Sequence, residues 1–175
     1  METGVKRVTL ASVAVLAALL VVGLSAIWLS RPGPAEAWVP APAYHAEDID
    51  GHPLELAELL GRPVLLSFWA TTCVTCIDEI PTLIDLHARH EARGLALLAI
   101  ALGYDRRERI RGVVEHLGIP YVVIHDTQDM AAEAFGPIRG TPTTILISPE
   151  GRVAYRALGH PDFDRIERLL ERWRS

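Results

Sequence analysis

Hydrophobic and polar positions divide this chain into two unlike parts. Residues 8–29 are 22 consecutive positions without a charge. A membrane-crossing helix needs about 20 apolar residues. Lys6 and Arg7 precede the run, and Arg31-Pro32-Gly33-Pro34 closes it. That charge asymmetry predicts a cytoplasmic N-terminus, with the rest of the chain on the far side. The rival reading is a cleaved signal peptide, for which Ala35-Glu36-Ala37 offers a small-x-small site. A signal core is usually about 7–15 apolar residues, so length favours the uncleaved anchor. Either way the same domain lies beyond the membrane. Residues 30–43, rich in Pro and Ala, read as a stiff spacer. The expected organisation is therefore residues 1–7 cytoplasmic, 8–29 transmembrane, 30–43 linker and 44–175 one domain.

Within that domain the apolar period switches repeatedly between strand and helix. Residues 44–49 and 54–56, joined at Asp50-Gly51, predict a hairpin. Residues 56–61 form one helical turn ended by glycine. The run 64–69 is apolar throughout and predicts a buried strand. After it, Ile77, Ile80, Leu83, Ile84 and Leu86 give one apolar helix face, extending to about His90. Pro81 falls inside this helix and predicts a kink. Residues 95–102 read as a strand covered on both faces. A surface helix over 105–117 follows, then a strand at 121–124 and a short helix at 129–135. Residues 143–147 and 153–157 are strands joined by Pro149-Glu150-Gly151, and a closing helix runs from 161–162 to about 174. The order predicts a mixed central sheet with helices on both faces.

Composition narrows the function. The net charge of −5 gives no reason to expect a nucleic-acid partner. Two cysteines, Cys73 and Cys76, are all the chain has. A bridge closing so short a loop removes little unfolded-state entropy, so stability explains the pair poorly. Redox chemistry or metal binding explains it better.

Position favours redox chemistry. Cys73 falls where the strand 64–69 ends and a helix begins. Unpaired N–H groups and the positive end of the helix dipole stabilise a thiolate there. A cysteine pKa of about 8.5 can then fall to roughly 3.5–7.5. Thiolates attack disulfides, so Cys73 is the candidate nucleophile and Cys76, one turn in, the resolving thiol. Trp69, ending the strand, reads as core packing. His87 and His90 share a helix at i, i+3, but no acid or cysteine joins them at ligand spacing, so no metal is expected. His125 beside Asp126 is a weaker candidate to line the site. Cys76-Ile77 lacks the histidine needed for covalent haem attachment.

Phe68-Trp69-Ala70-Thr71, the cysteine pair, Glu79-Ile80-Pro81 and Arg139-Gly140-Thr141-Pro142-Thr143-Thr144 together resemble the membrane-anchored thioredoxin-like thiol–disulfide oxidoreductases. The similar branch includes TlpA, ResA and the cytochrome c maturation thioredoxins, and the likeness spans residue 44 to the C-terminus. It implies an α/β thioredoxin fold with an N-terminal β-hairpin and a single transmembrane helix. It implies a cis Pro142, whose neighbour Thr141 pairs with an extended substrate segment, and no cofactor beyond the redox-active pair. Glu79 matches a glutamate near the active site of the ResA-like branch, which makes it the candidate proton handler. Thr72, Val74, Thr75, Thr141 and Pro142 are the expected substrate contacts.

Three positions depart from the pattern. Thr72 stands where the family often has tryptophan. Ser67 stands where thioredoxins proper carry a buried aspartate. Val74-Thr75 lacks the common proline or histidine. The implied partners are protein disulfides and a membrane electron donor, the latter needed because a reductant outside the cytoplasm requires an external supply. The implied location is a bacterial inner membrane, with the catalytic domain in the periplasm or extracytoplasmic space. The alternative is a copper or zinc metallochaperone using the two thiolates. A peroxide-reducing relative fits less well, because Ala70 occupies the threonine position three residues before Cys73 and the Pro-rich loop is missing.

Overall fold

The computed structural model describes residues 39–173. The expected anchor at 8–29 lies outside them. Among the described residues no helix is long and apolar enough to cross a membrane.

Strands β1 (Val39–Pro40), β2 (His45–Glu47) and β3 (Pro53–Glu55) open the fold, followed by helix α1 (Leu56–Leu59). Strand β4 (Val64–Trp69) leads into helix α2 (Val74–His90), and β5 (Ala96–Leu102) into α3 (Arg107–Leu117). Then come β6 (Val122–Asp126), α4 (Met130–Ala134), β7 (Thr143–Ile147), β8 (Arg152–Leu158) and α5 (Phe163–Arg172). Six strands form one sheet in the order β1-β8-β7-β4-β5-β6, and β2 pairs with β3 in a separate hairpin. β4, β5 and β6 are parallel, whereas β7 runs antiparallel to β4 and β8 antiparallel to β7.

The period-2 alternation along β4 builds two cores. Leu65 and Trp69 face one side with Leu83 and Leu86 of α2, Ile110 of α3 and Leu169 of α5. Val64, Leu66 and Phe68 face the other with Tyr44, Leu56, Ala131 and Phe135. β4, β5 and β6 succeed one another in one direction across the sheet. Right-handed crossovers therefore put α2 and α3 on the same face.

Two details differ from expectation. Val39 and Pro40, inside the stretch read as spacer, pair with Val153 and Arg152 of β8, so the fold begins before residue 44. Two residues with no apolar alternation leave no strand signal. Helix α3 begins at Arg107 rather than Asp105, because the Asp105 side chain is engaged elsewhere. Helix α2 runs through Pro81, which lies on its exposed side.

Candidate active site

The parallel strands β4, β5 and β6 end at one edge of the sheet, and the two cysteines sit just beyond β4. Cys73 is extended (φ −91°, ψ 100°) and caps α2, where its Sγ accepts from the Cys76 N–H at 3.2 Å. Its own N–H donates to Ala70 O at 3.0 Å. The cap thus places sulfur against an unpaired N–H of the first turn, the electrostatic situation expected from the sequence. The cysteines form a disulfide, with Cys73 half-buried and Cys76 buried. Cys73 is the more exposed of the two, and Cys76 packs into the core.

The loop that carries Cys73 is held from a neighbouring strand. Asp105, just past β5, accepts from Thr71 N at 2.5 Å and from Thr71 Oγ1 at 2.7 Å. It reaches Thr71 because Gly103 lets the β5–α3 loop pass close to β6. A Cβ at Gly103 would stand 2.5 Å from Asp126 O, which any side chain would disrupt.

On the other side β7 lies beside β4, with Thr143 opposite Phe68. The Thr141–Pro142 bond just before it is cis, as the resemblance implies. Pro142 is buried, and Gly159 N donates to its carbonyl at 2.8 Å. Thr72, Val74 and Thr75 are exposed, and Thr141 is half-exposed.

Ser67 is buried in mid-β4, opposite Thr144, so the thioredoxin aspartate position holds no carboxylate. Glu79 instead lies one turn beyond Cys76 and is 3% exposed. Its Oε1 is 2.8 Å from His160 Nδ1, in the turn between β8 and α5. Burial raises the Glu79 pKa above the usual carboxylate range, and the His160 contact partly offsets this.

Trp69 is core, as expected, and its Nε1 is buried without a hydrogen-bond partner. His87 packs edge-on against Tyr121. His125 lines a cavity of about 480 Å³ with Tyr44, Asp48, Arg107 and Asp126, whose walls include neither cysteine. The reading of His90 needs correction. Glu167 and Glu171 of α5 do join it, with potential ligand atoms within 4.8 Å of one another. Sequence spacing could not show this, because the acids come from another helix. Arg89 and Arg93 already occupy those carboxylates, at 2.7 and 3.1 Å, so the group is an ion-pair cluster.

A profile of the AhpC/TSA family matches residues 39–156. The thiol–disulfide oxidoreductase ResA of Geobacillus kaustophilus is 32% identical over 133 residues, covering 75% of this chain and 74% of its own. The chain belongs to the AhpC/TSA family, on its TlpA/ResA-like oxidoreductase branch. ResA of Bacillus subtilis is 31% identical over 65% of this chain and 62% of its own length. The crystal structure of a thioredoxin-family thiol:disulfide interchange protein from Chlorobium tepidum matches with a TM-score of 0.70. It is 26% identical over 79% of this chain and 97% of that one. The fold is thioredoxin-like. This family member is a dithiol–disulfide oxidoreductase, and Cys73–Cys76 is its C-x-x-C pair.

Two residues of the site escaped the sequence reading. His160 is one of seven histidines and follows Gly159 with nothing to mark it. Asp105 read as the start of a helix, a common place for aspartate, and that reading concealed its hold on Thr71.

Proposed function

We propose that this enzyme reduces disulfides in specific partner proteins on the extracytoplasmic face of a bacterial inner membrane. Residues 8–29 anchor it, 30–38 hold the domain off the bilayer, and a membrane electron donor recharges the pair. Its partners are of the cytochrome c maturation or copper-site assembly type. The observation that carries the proposal is the division of labour at α2. Cys73 is presented outward at the helix cap, while Cys76 and Glu79 lie inside on the same face.

In the reduced enzyme, the Cys73 thiolate attacks one sulfur of the substrate disulfide. A Cys73–substrate bond forms, and the second substrate sulfur leaves as thiolate. Cys76 gives its proton to the Glu79 carboxylate, then attacks Cys73 Sγ. The mixed disulfide breaks, the substrate leaves with both sulfurs as thiolates that take their protons from water, and two electrons have passed from the cysteine pair to the substrate. Glu79 suits the proton step because a raised carboxyl pKa narrows the gap to a thiol.

The rim suits a protein substrate. Val74, Tyr104 and Leu158 are large apolar side chains exposed at this end of the sheet. Among the described residues the peptide groups of Thr141 make no backbone hydrogen bond, which leaves an edge for an extended segment. Thr72, Val74, Thr75, Thr141 and Pro142 are the proposed contacts. The metallochaperone alternative would use the same two sulfurs, which are joined here as a disulfide.

The test is trapping. The Cys76→Ala variant should accumulate mixed disulfides through Cys73 with extracytoplasmic proteins. Wild-type protein that carries stoichiometric copper or zinc and exchanges no disulfides would overturn the proposal in favour of the chaperone.

A further inference from the structure

Glu79 has a difficulty as a proton acceptor: it is 3% exposed. A buried carboxyl that takes a proton in each cycle must also lose it. Among the described residues its one hydrogen-bond partner is His160, whose side chain is 70% exposed. The imidazole therefore has one nitrogen on the buried acid and most of its ring in solvent. The 2.8 Å contact suits two proton arrangements. Either Nδ1–H donates to the carboxylate, or the protonated carboxyl donates to a bare Nδ1.

The surroundings leave this pair to itself. Along the same face of α2 the neighbours are Cys76 and Leu83. On β8, the Tyr155 hydroxyl accepts from Asp162 N at 2.8 Å. On α5, Asp162 caps the helix by accepting from Arg165 N, and Phe163 packs edge-on against the His160 ring. Arg165 lies over the Tyr155 ring. Of these charged groups, only His160 acts on the Glu79 carboxyl. Gly159, next to His160, donates to Pro142 O at 2.8 Å. One short turn thus links the substrate-facing loop to the buried acid.

We propose that His160 is the positioning residue of Glu79 and its proton exit. It holds the carboxyl one turn beyond Cys76 and hands the proton lost by the Cys76 thiol to water. When the pair is recharged, the same route runs inward. No electrons move through His160, and one proton enters it for each one that leaves. The inference rests on the reading of Glu79 as proton handler given above.

A two-phase reaction separates the steps. Reduced enzyme mixed with 5,5′-dithiobis(2-nitrobenzoate) releases one thionitrobenzoate when Cys73 attacks and a second when Cys76 resolves. In His160→Ala the first phase should match wild type, and the second should slow about tenfold, with added imidazole restoring it. His160→Gln keeps a hydrogen bond to Glu79 but carries no titratable proton, and should also slow. Glu79→Gln should slow the second phase roughly 100-fold and gain nothing from imidazole. If Glu79→Gln slows and neither His160 variant does, the exit is wrong and the Glu79 reading stands. A fast His160→Gln, or a slow His160→Ala that imidazole leaves unchanged, also overturns the exit. If Glu79→Gln resolves at the wild-type rate, the Glu79 reading fails, and this inference with it.

Discussion

The two ends of helix α2 carry the same pair of residue types in opposite arrangements. Near its start the acid is inside and the histidine outside: Glu79 is 3% exposed and His160 70%. Near its end the histidine is inside and the acid at the rim, with His90 5% and Glu167 25% exposed and 2.6 Å apart. The second end is also crowded with charge, since Arg89 binds Glu167 and Arg93 binds Glu171. At the first end, among the described residues, only His160 acts on the carboxyl, and burial dominates its chemistry. One geometry leaves burial to raise the proton affinity of a carboxyl. The other neutralises carboxylates with fixed guanidinium groups and fastens α5 to α2. Residue type alone does not distinguish a carboxyl of raised proton affinity from a clamp. Which partner is buried, and what else is near, does.

The largest expected contrast is kinetic. Glu79→Gln should slow release of the mixed disulfide by roughly 100-fold, whereas Glu167→Gln should leave that rate within about twofold of wild type. Single-turnover reduction of a protein disulfide reads both. The next contrast is in stability. Glu167→Ala leaves His90 buried without its acceptor and Arg89 without its counter-ion, and should cost about 2 kcal/mol in urea unfolding.

Glu79→Gln should behave differently, and its effect should depend on pH. The folded-state pKa of Glu79 is raised, so folding favours the protonated carboxyl. That contribution is complete below the unfolded carboxylate pKa and is lost as pH rises through the folded pKa. Glutamine cannot ionise, so the stability of the variant relative to wild type should rise from acid to neutral pH. A flat difference across that range would contradict the burial argument. The smallest effect belongs to the exposed Arg93–Glu171 pair. Glu171→Ala should cost about 0.5 kcal/mol, less at high salt.

What could be read from the chain was local. The apolar run 64–69, the helix face Ile77–Ile80–Leu83 and the cysteines at their junction lie within a few turns of one another. Their periodicity therefore specified strand, helix and cap together. Pro142 became legible only through the surrounding Gly-Thr-Pro-Thr, because nothing about one X-Pro pair announces its isomer. The remaining contacts join residues far apart in the chain. His160 meets Glu79 across 81 positions, Glu167 meets His90 across 77, and Asp105 meets Thr71 across 34. Such pairs depend on which strands end at which edge of the sheet and how the helices pack across it. Neither period nor spacing records that. Val39–Pro40 failed to register for the opposite reason, being too short to show any alternation.

The central claim is that the cap of α2 makes Cys73 the outward, acidic thiol and leaves Cys76 the inward one. Its most direct test is alkylation of the fully reduced protein across pH, with mass spectrometry reporting which cysteine is labelled. The account predicts that Cys73 is labelled first, with an apparent pKa well below the ordinary thiol value of about 8.5. Equal labelling of Cys76, or a Cys73 that titrates like a free thiol, would contradict it.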